Sequence, residues 1–251
     1  MSEITRAEVE AHFTARASRY DRSSHWVTDP ALRERVWALL KPGRTDQVLD
    51  VACGTGLVSA WFKGRVARVV GADITEAMFA QARPRLDELV VTPAETLPFA
   101  DSTFDIVVCR QGTQFMDDAA AIQEMVRVLR PGGQVCVINL CAYGQSDRDE
   151  YFEILRLRNP ARRNFYLRED LQRLFEQAGA TNIAVHDHVS IEDVDAWSDN
   201  GAIEETRREG IRAVYRTASP AFQSLHAVST EDNARFVDHM LFGIAIGSKP
   251  G

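Results

Sequence analysis

From residue 47 to residue 140 the chain alternates short runs of β-branched and other apolar residues with runs of helical spacing, and this alternation restricts the fold more than anything else in it. Strands apolar on both faces must be covered on both, which helices in the crossovers between parallel strands accomplish. The pattern predicts strands over 47–52, 68–73, 89–92, 104–109 and 134–140, and helices over 57–63, 75–86 and 117–129. Arg130-Pro131-Gly132-Gly133 stops the last of these helices, because proline cannot continue one.

The flanks read differently. Residues 1–42 hold two predicted helices, the second with Asp29 as N-cap, Pro30 at its first position and Leu32, Val36, Leu39 and Leu40 on one face. Past residue 140 the alternation loosens into a polar segment that carries Tyr143, Tyr151, Phe152, Phe165 and Tyr166. A helix over 167–178, a strand over 182–189 and a last strand over 240–246 follow, with a helical insertion between the two strands. No repeat, low-complexity tract or linker divides the 251 residues, so they read as one domain.

Several chemistries are excluded early. Three lysines, Lys41, Lys63 and Lys249, stand among 29 basic residues; none belongs to a P-loop and none has a tyrosine four positions before it. A net charge of -7 repels phosphate backbones. The most basic stretch, Arg156, Arg158, Arg162, Arg163 and Arg168, reads as a solvated face with helical ion pairs. Cys53, Cys109, Cys136 and Cys141 lack C-x-x-C spacing and read as buried small hydrophobes, with neither disulfide nor metal. The start is polar and no apolar run is long enough to cross a bilayer, so a cytoplasmic protein without stable membrane insertion is expected.

The chemistry concentrates where the first strand runs into Val48-Leu49-Asp50-Val51-Ala52-Cys53-Gly54-Thr55-Gly56. Glycines there let backbone approach a ligand, and the following helix start offers free N–H groups. The second strand ends in Asp73, placed to accept from both hydroxyls of a ribose. Together the two features point to a nucleoside at the sheet's switch point. A dinucleotide would want a third small residue where Ser59 follows the bulky Leu57 and Val58. Asp50, ahead of the glycines, would repel a pyrophosphate yet suit an ammonium group. S-adenosylmethionine has that ammonium and no phosphate.

The stretch Val48 to Gly56 resembles motif I of the class I S-adenosylmethionine-dependent methyltransferases, and the chain is similar to their type-11, quinone-biosynthesis-like branch. Ala17-Ser18-Arg19-Tyr20-Asp21, Ala94-Glu95-Thr96-Leu97-Pro98-Phe99, Ser102-Thr103-Phe104-Asp105-Ile106-Val107 and Arg127-Val128-Leu129-Arg130-Pro131-Gly132-Gly133 agree with it in order. The resemblance implies an α/β, doubly wound, Rossmann-like fold: a seven-stranded, mostly parallel sheet with an antiparallel last strand, N-terminal helices and a helical insertion before the last strand. Residues 1–42 would form a lid, 43–140 the cofactor-binding core, and 141–166 with 190–235 a substrate cap. S-adenosylmethionine would be the cofactor and S-adenosylhomocysteine its product. Asp50 would meet the methionine ammonium, directly or through water, with Ala52, Gly54 and Gly56 along the carboxypropyl chain and Tyr20 closing over that end. Asp73 would hold the ribose, Ile74 and Met78 the adenine faces, Ala94 and Glu95 its edge, with Arg110 and Gln111 beside the ligand. Two positions depart from the pattern: Ala52 stands where glycine is common, and Pro93 where an aspartate commonly accepts from the adenine amino group. Glu95 or backbone groups are expected to substitute there.

Methyl transfer from a sulfonium is an in-line displacement, so positioning is the protein's main contribution, without metal or covalent intermediate. A base is needed only for some acceptors. Of His12, His25, His186, His188, His226 and His239, His25 beside Trp26 is the best-placed candidate, although surface or core roles account for every one of them, and no base is assigned. Trp26, Gln114, Phe115, Tyr143 and Phe165 are candidate contacts for a small-molecule acceptor, and Asp117-Asp118 reads as a helix cap. Nucleic-acid acceptors are disfavoured: Cys109-Arg110-Gln111-Gly112 lacks the Pro-Pro-aromatic signature, and no Pro-Cys pair occurs. Two other classes stay open, a cofactor-binding protein that transfers no methyl (a cyclase or regulator) and an NAD-dependent oxidoreductase. The sequence assigns neither the acceptor nor the oligomeric state.

Overall fold

The computed structural model describes residues 4–17, 20–22, 28–231 and 235–251. Helix α1 (Arg6–Arg16) starts on a capping box in which Thr5 and Glu8 satisfy each other's backbone N–H groups. Helix α2 (Pro30–Leu40) starts where the Asp29 carboxylate accepts from Ala31 N at 2.8 Å, and ends at Lys41 in a left-handed conformation (φ 49°).

Strands β1 (Gln47–Val51), β2 (Arg68–Asp73), β3 (Glu88–Val91), β4 (Phe104–Arg110) and β5 (Leu129–Leu140) pair in parallel in the spatial order β3-β2-β1-β4-β5. Strand β8 (Arg235–Ser248) runs antiparallel to β5 on one side and to β6 (Thr181–Asp193) on the other, and the short β7 (Ser229–Glu231) pairs the outer end of β8. The order reverses between β1 and β4, which opens a crevice at the carboxyl ends of those strands.

Consecutive strand residues face opposite sides, so Val48, Ile106, Ile138 and Phe242 pack into one apolar layer and Leu49, Val107, Val137 and Leu241 into the other. Helix α2 covers the first layer together with α6 (Arg148–Arg158), α8 (Val194–Ser198), α9 (Glu205–Thr217) and α10 (Pro220–Leu225). Helices α5 (Asp118–Val128) and α7 (Arg168–Gln177) cover the second. All four cysteines are buried and unpaired. No helix among the described residues is long and apolar enough to cross a membrane.

Three expectations need correction. The helix over 75–86 is a chain of short turns, Glu76–Met78, α4 (Phe79–Ala82) and Arg83–Arg85, because Pro84 lacks a backbone donor and interrupts the helical ladder. The helix over 57–63 shortens to α3 (Ser59–Phe62), its first turn given over to the glycine bend. Strands β6 and β8 run well past the predicted 182–189 and 240–246, so the insertion is confined to 194–228 rather than 190–235. Their outer halves mix polar and apolar residues, Val189-Ser190-Ile191-Glu192 in β6 and Arg235 to His239 in β8, so an apolar run is the wrong signal for them.

Candidate active site

The turn after β1 is built on left-handed backbone at Ala52 (φ 55°), Gly54 (φ 53°) and Gly56 (φ 77°). A Cβ on Gly54 would stand 3.2 Å from Met78 Sδ, and one on Gly56 3.2 Å from Ala82 Cα, so both glycines serve close approach as well as conformation. Ala52 adopts the same region with its methyl in place, at a cost of about 1 kcal/mol. Gly112 makes room for it, since a Cβ there would fall 2.6 Å from Ala52 Cβ.

Two carboxylates flank this turn. Asp73, last in β2, accepts from Gly54 N and Thr75 N, both at 2.8 Å, and burial raises its pKa. Asp50, in β1, accepts from Ser59 Oγ at 2.6 Å. Burial pushes it up to about 7 against the pull of Ser59 and Arg110. Ser59, which breaks the dinucleotide spacing, is therefore the buried partner that Asp50 requires.

The crevice above is a cavity of about 420 Å³. Of the residues anticipated for a cofactor, Tyr20, Ala52, Gly54, Asp73, Ile74, Met78, Ala94, Glu95, Arg110 and Gln111 line it. Asp50 and Gly56 do not reach its wall. Pro93 does, and Glu95 beside it accepts from Asp117 N at 3.0 Å while Asp117 caps α5 as anticipated. Of the substrate candidates Phe115 lines the cavity, whereas Gln114 lies in a narrow annex of about 20 Å³ whose walls share Phe13, Tyr20, Gln111 and Phe115 with it. Tyr143 lies elsewhere, donating to His239 O at 2.8 Å, and Phe165 packs on Phe152 with ring centres 5.3 Å apart. No described residue of 190–235 lines either space, and Arg163 is the residue of 141–166 that lines the main cavity. His25 and Trp26 lie outside the described residues.

Sequence reasoning missed three features. Helix α1, expected only as part of a lid, lines the cavity with Val9 and with Phe13, neither of which was singled out, and the Phe13 ring meets Phe115 edge-on at 4.9 Å. The segment behind it is tied to the glycine turn: Asp21 accepts from Thr55 Oγ1 at 2.6 Å and pairs with Arg85 at 2.7 Å, and Arg85 donates to Thr55 O at 2.9 Å. Arg158 and Arg162, assigned to a solvated face, are buried at 7% and 6% exposure, and Arg16 at 2%. The Tyr20-Asp21 pair was visible as a motif, but its partners sit far along the chain and no spacing announces them.

Residues 49–137 match the family model described as a methyltransferase domain. A demethylmenaquinone methyltransferase of Corynebacterium kroppenstedtii is 36% identical over 134 residues, 52% of this chain and 58% of that protein. The matches to the first such relatives thus span little more than half of their length, 58%. The Mycobacterium marinum demethylmenaquinone methyltransferase is 30% identical over 226 residues, 88% of this chain and 92% of that one. In fold, the YcgJ protein from Bacillus subtilis superposes with a TM-score of 0.80 at 20% identity, covering 89% of this chain and 100% of that one. Paired carboxylates on adjacent strand ends, a left-handed turn between them and this near-full-length relationship agree: the chain belongs to the class I S-adenosylmethionine-dependent methyltransferases, in their quinone-biosynthesis-like branch.

Proposed function

We propose that this protein is an enzyme that binds S-adenosylmethionine in the crevice between β1 and β4 and transfers its methyl group to O, N or C of a small molecule. The observation that carries this reading is the pair Asp50 and Asp73 around the bare backbone of Gly54. Carboxylates there favour an ammonium at one end and hydroxyl donors at the other, and repel a pyrophosphate. When bound, the sulfonium supplies an activated methyl carbon.

The chain's own residues then have separate tasks. Asp73, which already accepts two backbone N–H groups, takes the ribose hydroxyls on its remaining lone pairs. Ile74, Met78 and Ala94 wall the base, with Glu95 and backbone at the edge where Pro93 offers no donor. Tyr20 closes over the amino-acid end with Arg110 nearby, and Asp50 supplies negative potential from beneath the turn. Helix α1 acts as a lid, with Phe13 and Phe115 excluding water where the acceptor meets the methyl carbon. Demethylmenaquinone, which the relatives' names give as their acceptor, is one compound to assay.

Isothermal calorimetry tests the reading. S-adenosylhomocysteine should bind and NAD should not, and Asp73→Ala should weaken binding more than tenfold by removing charge-assisted hydrogen bonds. Binding of NAD instead, or unchanged affinity in a folded Asp73→Ala protein, contradicts it.

A further inference from the structure

The annex past Phe13 and Phe115 is walled by α1, by the turn Thr113–Phe115, and by the ends of β5 and α6. Its described walls hold three arginines, Arg16, Arg158 and Arg162, and no carboxylate; of these Arg158 has partners beyond the annex, donating through Nε to Trp197 O at 3.0 Å with Glu192 favouring its charge. Buried arginine is normally paired, because a charge removed from water and left uncompensated costs several kcal/mol. Arg16 lies 5.5 Å from the ring of Phe13 and 5.2 Å from that of Tyr20, yet its Nε donates to nothing. Arg162 donates through Nε to Asn164 O at 2.9 Å, but its Nη2 has no partner. Gln111, in left-handed backbone at φ 55°, accepts at Oε1 from Gln114 Nε2 at 2.7 Å and leaves its own Nε2 without an acceptor.

Three buried orphan donors, two of them on guanidinium groups, thus wall one small space, and Gln114 Oε1 is the one orphan acceptor among them. The positive groups also crowd one another. Burial and then Arg16 bring Arg158 down to about 9, burial brings Arg162 down to about 10, and burial, Arg16 and Arg158 hold the neighbouring His12 at about 4. An anion would relieve all of these at once. Planar guanidinium forks match a planar carboxylate, and a space of about 20 Å³, room for about one water-sized group, takes a carboxylate oxygen while the rest of the molecule lies toward the main cavity, whose walls share Phe13, Tyr20, Gln111 and Phe115 with the annex.

We propose that the annex grips a carboxylate on the methyl acceptor through Arg16 and Arg162, with Gln111 as a third donor, so that the substrate is an organic acid. This rests on the methyltransferase reading above. The cofactor's own carboxylate has Arg110 on the main cavity wall, beside Tyr20 and the glycine turn. A carboxylate in the annex also places negative charge between the sulfonium and the arginines, which would otherwise repel each other.

Calorimetry with 4-hydroxybenzoate and its neutral isostere 4-hydroxybenzamide tests this on the unaltered protein, with and without saturating S-adenosylhomocysteine. The acid should bind at least fivefold tighter than the amide in both settings. Arg16→Met and Arg162→Met should abolish that preference while leaving S-adenosylhomocysteine affinity within twofold. Equal binding of acid and amide, binding of neither, or loss of acid binding when S-adenosylhomocysteine is present overturns the proposal; the last would give these arginines to the cofactor's carboxylate. Preference for phenyl phosphate over the acid overturns the carboxylate assignment. Failure of S-adenosylhomocysteine to bind counts against the methyltransferase reading instead, and the acid–amide comparison without it still reads the annex.

Discussion

Asp50 and Ala52 show how much of this site turns on single atoms. Burial pushes Asp50 up to about 7 against an ordinary carboxylate value, with Ser59 as its hydrogen-bond partner. Its raised pKa favours the folded empty protein below about pH 4, and that contribution is lost as pH rises through 7. A ligand that brings an ammonium reverses the penalty. S-adenosylhomocysteine affinity should therefore rise about tenfold between pH 6 and 8, and Asp50→Asn should flatten the profile; a flat profile in the unaltered protein would remove Asp50 from binding. Ala52 has the opposite character, a residue strained by its own methyl. Ala52→Gly should raise Tm by about 2–4 °C, equivalent to about 1 kcal/mol in a protein of this size, and scanning calorimetry reads it directly. The glycine turn was legible because glycine and aspartate advertise themselves in sequence. Ser59 was not, since its meaning depends on facing Asp50 across the bend.

At the level of elements, two ties hold the site's cover and its far support. The Tyr20–Arg22 turn is pinned to the glycine bend through Asp21, Thr55 and Arg85. The pair is partly exposed and contributes about 1 kcal/mol or less to stability. Asp21→Ala should leave Tm within a few degrees yet weaken S-adenosylhomocysteine binding several-fold, by freeing Tyr20; calorimetry on both proteins separates the two effects. The second tie is His226 at the end of α10. It is buried between Asp147, ahead of α6, at 3.1 Å and Asp238 of β8 at 2.8 Å, while Asp238 also accepts from Tyr215 of α9. Burial disfavours its charge, but the two carboxylates outweigh that and raise it to about 9. The stability it contributes is complete below about pH 6.5 and is lost as pH rises through 9. His226→Leu should destabilise by about 3–5 kcal/mol, because it leaves two buried carboxylates uncompensated; a denaturant midpoint unchanged at pH 7 would show that the clamp carries no load. Periodicity revealed strands such as β2, buried on both faces, to the residue. It failed for the outer halves of β6 and β8, where polar Ser190, Glu192 and Asp238 are buried while Val189 and Ile191 are exposed, and for α4, where a proline inside an apolar pattern outweighs the pattern.

For the molecule as a whole, the parallel half of the sheet, its helical cover and the crevice at the strand reversal follow from local patterns, because each strand is saturated with apolar residues. The antiparallel end, the course of the N-terminal helix over the crevice and the burial of Arg16, Arg158 and Arg162 follow from contacts between distant segments, and charge along a chain does not say which charges end up inside. That is why a stretch rich in arginine read as surface while it walls the annex. The end of the candidate site around the glycine turn and Asp73 was legible as a cavity wall, and the annex end was not. The central claim is that the crevice between β1 and β4 holds a sulfonium nucleoside, sugar against Asp73 and sulfur toward the annex. A crystal structure of the protein with S-adenosylhomocysteine tests it most directly. The account predicts both ribose hydroxyls within hydrogen-bond distance of Asp73 and the sulfur facing the space between Phe13, Phe115 and Gln111. A nucleoside seated away from Asp73, or with its sulfur turned from that space, would contradict it.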